Sequence, residues 1–358
     1  MSAAMKTMIR GYRNLPGEHC GSTAMRNLLF HYCGLELSEE EVFGIGSGLD
    51  FLLIQNEAND PAVYTFGRSV TMEIDLADAL GVDYREQPEP DDARAWDVVR
   101  REVDEGHPTM LSGDAFYLDY RDFRVHFPSH RYVLLGYDDE RRRALVADRI
   151  VPDTQECSYE ALALSRNPPL AISTHNLWGK FDGTSVSRSV PEAMARALEK
   201  SAGRMLGTDA SQTDILRMLN RGTSTEISSG LAALRSWHDS LPSWRERSDA
   251  RGLATYSSNT IEKYGTGGAN FRVLYAGFLR HARAVVPDLV TERMVELMDR
   301  STASWNLLGA SLAAIAAGST KDEWQPAHTA LGEIVSAETE LFERLGESVG
   351  SCSQLGLS

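Results

Sequence analysis

No two cysteines in this sequence stand at metal-binding or disulfide-framework spacing. Cys20, Cys33, Cys157 and Cys352 are scattered singly, with no C-x-x-C pair. That usage excludes a zinc ribbon or a disulfide scaffold and predicts reduced thiols in a cytoplasmic protein. Long apolar runs are also missing. The most apolar stretch, Trp305 to Gly318, is too short and too polar to span a bilayer, so no membrane partner is expected. Met1 to Tyr12 holds no apolar core of the signal-peptide kind, which predicts that the chain is not secreted. Basic charge is the scarcer sign: 36 Lys and Arg face 51 Asp and Glu, a net charge of −15. Nucleic acid prefers a basic partner, so it too is not expected. There is no internal repeat and no low-complexity tract.

What remains is an ordinary globular composition, 42% hydrophobic and 24% charged, over 358 residues. That length can bury one large core or, more typically, two. Before about residue 180, short β-type runs alternate with helical ones. Helices are expected over Cys20–Cys33, Ser38–Phe43 (Ser38 as N-cap, Glu41 completing a capping box) and Asp91–Glu105. Strands are expected over Thr109–Gly113, Arg131–Tyr137, Arg143–Asp148 and Leu170–Thr174. From Ser189 onward apolar residues recur at three- and four-residue spacing, over Pro191–Met205, Asp209–Asn220, Thr225–Asp239, Asn270–Val285, Leu289–Met298 and Thr302–Ala317. A Gly- and Ser-rich linker, Gly179 to Ser189, joins the halves. The expected fold class is α+β: a domain over 1–180 with a helix and an antiparallel sheet, then an all-α domain over 190–358.

Chemistry enters at Cys20. The segment Gly17-Glu18-His19-Cys20-Gly21-Ser22-Thr23-Ala24-Met25 passes from a Pro/Gly loop into apolar positions at helical spacing. A thiol in a first helical turn meets unpaired backbone N–H groups and the positive end of the helix dipole, which favour thiolate. Cys33, further along the same run, reads as a structural cysteine. His19 adjoins Cys20 on the chain but need not share its face.

A second signal lies downstream. His130-Arg131-Tyr132-Val133-Leu134-Leu135-Gly136-Tyr137 and Arg143-Ala144-Leu145-Val146-Ala147-Asp148 are β-prone runs flanking a charged turn. A hairpin centred near Asp139 makes His130 and Asp148 cross-strand neighbours or near neighbours. Cys20, His130 and Asp148 then supply nucleophile, base and orienting acid. One residue of register slip would turn Asp148 to the other face. His126 competes as the base, or else lines a pocket or sits hydrogen-bonded in the core. Pro128 stops His126 and His130 from forming a helical metal pair, and no metal site is expected. Asp114, after a short apolar strand, either holds a substrate amine or caps a turn.

The wording around these residues resembles the butirosin biosynthesis protein H family. The resemblance rests on His19-Cys20-Gly21-Ser22, Arg26-Asn27-Leu28-Leu29, Leu37 through Leu49, Phe66-Gly67-Arg68, Tyr117-Leu118-Asp119-Tyr120, His126-Phe127 and His130 through Asp138. Ile261 through Arg272 resembles the helical domain that follows in such proteins, and the likeness spans roughly residues 10 to 310. It implies a papain-like cysteine acyltransferase that moves an acyl group from a carrier-protein thioester to a small-molecule amine in a biosynthetic pathway. The donor carries its own phosphopantetheine, and no further cofactor is implied. The helical domain is expected to pack over the catalytic cleft.

Under that resemblance the oxyanion falls to a backbone N–H at Cys20 or Gly21, and to Asn14, six residues before the nucleophile, which otherwise caps a loop. The block Tyr264-Gly265-Thr266-Gly267-Gly268-Ala269-Asn270 opens a helix bearing Arg272. Gly267 and Arg272 either meet the pantetheine phosphate or form a tight structural turn. A net charge of −15 sits awkwardly with an acidic carrier protein, and Arg141-Arg142-Arg143 caps the hairpin about 23 Å of strand away from His130. A cysteine peptidase or amidase would use the same triad with water, and a binding protein on an inactive papain scaffold is a third reading. Water exclusion separates transfer from hydrolysis.

Overall fold

The computed structural model describes residues 6–170, 173–319 and 322–354. Its strands are β1 (Lys6–Met8), β2 (Leu49–Gln55), β3 (Val63–Arg68), β4 (Tyr84–Gln87) and β5 (Thr109–Gly113). They continue with β6 (His130–Asp138), β7 (Arg143–Ala147), β8 (Gln155–Ser158), β9 (Trp178–Phe181) and β10 (Glu226–Ser229). The helices begin with α1 (Cys20–Cys33), α2 (Glu39–Ile45), α3 (Met72–Leu80), α4 (Asp92–Asp104), α5 (Tyr159–Arg166) and α6 (Val190–Leu206). They end with α7 (Ser211–Leu219), α8 (Gly230–Trp244), α9 (Ala250–Glu262), α10 (Arg272–Val285), α11 (Glu292–Ala316) and α12 (Trp324–Gln354). The class is α+β.

The chain forms two compact units, Met1–Glu39 with Gly81–Ser187, and Glu40–Leu80 with Arg188–Ser358. In the first, a seven-stranded antiparallel sheet runs β4-β9-β5-β6-β7-β8, with β1 added to β6. Alternating apolar residues of β5, β6 and β7 bury Leu111, Tyr132, Leu134 and Val146 with Val99 and Val103 of α4, Cys157 and Trp178. Helix α1 also packs on β6. With both flanks of β6 covered, all nine of its residues are buried.

The second unit is mostly helical, around Phe51, Trp237, Trp305, Tyr275 and Phe342. A small sheet ordered β10-β2-β3 lies in it. This redraws the expected division into 1–180 and 190–358, because residues 40–80 leave the first half. The reason is pairing and burial that only long-range contact supplies. Ile227 of β10 stands opposite Ile54 of β2, and Gln212 Nε2 donates to Asp50 Oδ2 at 2.5 Å. Arg204 of α6 donates to the Ser47 carbonyl and pairs with Asp75 of α3 at 2.7 Å. The two helices expected over 289–298 and 302–317 are one, α11. The strand expected at Leu170–Thr174 falls partly on 171–172, outside the described residues. Among the described residues no helix is long and apolar enough to cross a membrane.

Candidate active site

Cys20 is the first residue of α1 and only 4% exposed. His19 before it is extended (φ −109°, ψ 131°), and its Nδ1 accepts the Ser22 N–H at 3.2 Å, a side-chain cap that starts the helix here. Glu39, buried at the start of α2, braces this turn. One of its oxygens accepts from His19 N (2.8 Å), Ser22 Oγ (2.9 Å) and Thr23 Oγ1 (3.1 Å), the other from Glu18 N (2.9 Å). Gly17 makes that approach possible, since a Cβ there would lie 2.2 Å from Thr23 Oγ1 and 2.4 Å from a Glu39 oxygen. The same loop is tied to the end of β7 by Gly17 N donating to the Arg149 carbonyl at 2.9 Å. In the sequence Glu39 showed only within an expected helix and the family-like run Leu37 to Leu49, with no role of its own.

The hairpin carries His130 and Asp148, in a register the sequence does not announce. At its tip Asp138 pairs with Arg143 and Gly136 with Leu145. Continued unchanged, that register would set Asp148 opposite Val133, on the face away from His130. A bulge between Leu134 and Gly136 shifts the pairing so that Leu134 meets Val146 and Val133 meets Ala147. Asp148, one residue past β7, thereby comes to the Tyr132 side, which His130 shares. The bulge is held by β1: Ile9 N donates to the Leu135 carbonyl at 2.8 Å, and a Cβ at Gly136 would lie 2.3 Å from the Thr7 carbonyl oxygen.

His130 Nε2 lies 2.9 Å from Asp148 Oδ2, with both side chains buried. The same oxygen accepts from Tyr120 Oη at 3.0 Å and Arg121 Nη1 at 2.8 Å, while Oδ1 accepts the Arg149 N–H at 2.6 Å. Burial alone would raise the Asp148 carboxyl, but His130, Arg121 and the Arg149 N–H hold it well below the usual carboxylate range. Burial likewise opposes a charged His130. The Asp148 carboxylate, and then a hydrogen bond and charge coupling to Cys20, outweigh it and raise the imidazole to about 9. The thiol, the imidazole and the carboxylate thus stand in one connected chain. Cys157 differs: burial, with Asp119 nearby, pushes its thiol up to about 12, and burial raises Cys33 as well.

The other expected residues divide. Gly21 is buried in the first turn of α1, where N–H groups precede the i to i−4 ladder. Asn14 is corrected: its amide nitrogen donates to the Asp148 carbonyl (2.9 Å) and the Val151 carbonyl (2.8 Å), and its oxygen accepts from Asn27. Both amide hydrogens are committed to bracing the Asp148 loop, so none remains for an oxyanion. His126 makes a separate pair, its Nδ1 2.6 Å from Asp114 Oδ2, and packs on Phe116. Asp114 Oδ1 accepts the Phe116 and Phe127 N–H groups, so its carboxylate also shapes the turn.

Gly267 and Arg272 belong to the second unit. Arg272 is corrected as a phosphate ligand: it is fully buried, forked onto Glu338 at 2.9 Å twice, and its third nitrogen donates to the Asp50, Gly67 and Asn270 carbonyls. Gly267 (φ +68°) sits in a turn pinned by Thr266 Oγ1, which donates to the Ile261 carbonyl. For a metal, Glu102, Glu105 and His107 are close enough among the described residues, yet Lys180 already pairs with Glu102 at 2.9 Å.

A buried cysteine at the head of a helix, packed on an antiparallel sheet with histidine and aspartate at its edge, is an α+β arrangement consistent with a papain-like fold. Residues 19–149 match the model of butirosin biosynthesis protein H, N-terminal, and residues 161–345 match a domain of unknown function (DUF4872). The chain belongs to the butirosin biosynthesis protein H family, a family of biosynthetic enzymes. No curated protein matches it.

Proposed function

We propose that this chain is a cysteine-dependent acyltransferase that takes an acyl group from the phosphopantetheine thioester of a carrier protein and passes it to an amine. The observation that carries the reading is the connected chain of Cys20, His130 and Asp148, with Cys20 coupled to the imidazole. The Cys20 thiolate attacks the thioester carbonyl, with the Cys20 and Gly21 N–H groups as donors to the oxyanion. Collapse breaks the carbon–sulfur bond to pantetheine, whose sulfur takes the proton held by His130. The amine then attacks acyl-Cys20. His130 accepts the amine proton, the Cys20 sulfur leaves, and thiolate and imidazolium are restored. Asp148 holds the imidazole in place and balances its charge.

The near-complete burial of Cys20 supports transfer over hydrolysis, because an acyl thioester survives where water is excluded. Intact-mass measurement with an acyl-loaded carrier protein tests the reading. A stable acyl adduct on Cys20, discharged on adding amines with formation of amide, is expected. Rapid release of free acid regardless of amine would assign the chain to the hydrolases. No adduct on Cys20 with any thioester would remove covalent catalysis altogether.

A further inference from the structure

Arg121 lies outside every expected motif, yet it reaches the centre of the site. Its side chain is 9% exposed, and its Nη1 stands 2.8 Å from His130 Nε2 and 2.8 Å from Asp148 Oδ2. We infer that Arg121 is a positioning residue of the triad, one that bridges base and acid and sets how readily His130 releases its proton.

What each atom can donate decides the preference. A guanidinium only donates, and so does a doubly protonated imidazole. With His130 as imidazolium, Nη1 and Nε2 are two donors at hydrogen-bond distance that share one acceptor oxygen, and two like charges adjoin. Loss of a ring proton removes that like-charge contact, and the proton free to leave is the one on Nδ1, the nitrogen engaged by neither Asp148 nor Arg121. Arg121 therefore favours the neutral ring while Asp148 favours the charged one. Around the imidazole, Cys20 comes from α1, Tyr132 from β6 and Tyr120 from the segment bearing Arg121, while Cys157 of β8 is coupled to both tyrosines. Among these groups Arg121 is the one cation. In the proposed reaction His130 must both give and take a proton within each cycle, and a base held too firmly as imidazolium gives its proton up poorly. That consequence rests on the acyltransferase reading, whereas the bridging role does not.

The test uses alkylation of Cys20 by iodoacetamide, which needs no acyl donor. Loss of the His130 proton appears as the upper step in its pH–rate profile, with the site of modification verified by peptide mass. Arg121→Gln should move that step to higher pH by about one unit, since a neighbouring cation has been removed. Arg121→Lys, which keeps the charge but cannot reach both partners, should move it less in the same direction. An unmoved step in folded Arg121→Gln, or a downward shift, would overturn the inference. If the Gln variant does not fold, an unmoved or lowered step in Arg121→Lys overturns it equally.

Discussion

Replacing Asp148 with Asn keeps the shape of the side chain and removes the charge on which four donors converge. In the native protein His130 stands at about 9 against an ordinary 6.5. That displacement corresponds to about 3 kcal/mol of preference for the imidazolium. Without the carboxylate, burial dominates and Arg121 faces the ring unopposed, so the upper step of the Cys20 alkylation profile should fall by about two pH units. Stability should follow with a defined sign. Because the folded value of His130 lies above the unfolded one, its contribution is fully present below pH 6.5 and lost as pH rises through about 9. The Asp148 contribution is present above about pH 4 and lost only in strong acid. Asp148→Asn should therefore cost most between about pH 4 and 6.5, on the order of 3 kcal/mol, and less above pH 9, where only the tie to Arg121 is forfeited. Denaturant unfolding at pH 5.5 and pH 9.5 reads the difference. An equal cost at both values, with an unmoved alkylation step, would refute the account of His130 as a charge held by Asp148.

Cys20→Ala should abolish both alkylation near neutral pH and the acyl adduct with little loss of stability, and rapid labelling of Cys33 or Cys157 instead would contradict the assignment of Cys20 as the nucleophile. His130→Ala should lower turnover by about 10⁴-fold, while His126→Ala, bound to Asp114 outside the triad, should cost far less; the reverse order would make His126 the base. Glu39→Gln should destabilise by about 2 kcal/mol in denaturant and slow Cys20 alkylation, since one of four N–H and O–H donors then meets an amide N–H. Arg272→Ala should cost about 3–5 kcal/mol by stranding the buried Glu338 carboxylate, and should impair use of a carrier-bound and a small thioester alike; selective loss with the carrier would restore it as a phosphate ligand.

By itself the sequence determined the local features. A loop closing on His19 and followed by apolar residues at helical spacing starts a helix at Cys20, and α1 runs over Cys20–Cys33 as that spacing requires. Two β-prone runs around a charged turn make the His130 hairpin, and both signals are short-range. Tertiary structure decided what depends on contacts between distant residues. The bulge that brings Asp148 to the His130 side is held by β1, about 130 residues earlier in the chain. The roles of Glu39 and Arg121 were not legible, because a buried carboxylate or guanidinium takes its role from the donors and acceptors that folding brings to it. Asn14 and Arg272 had the right chemical type for the roles expected of them. Folding had already used their hydrogen bonds elsewhere, Asn14 on the Asp148 loop and Arg272 on Glu338, and a polar group satisfied inside the protein is not available to a substrate.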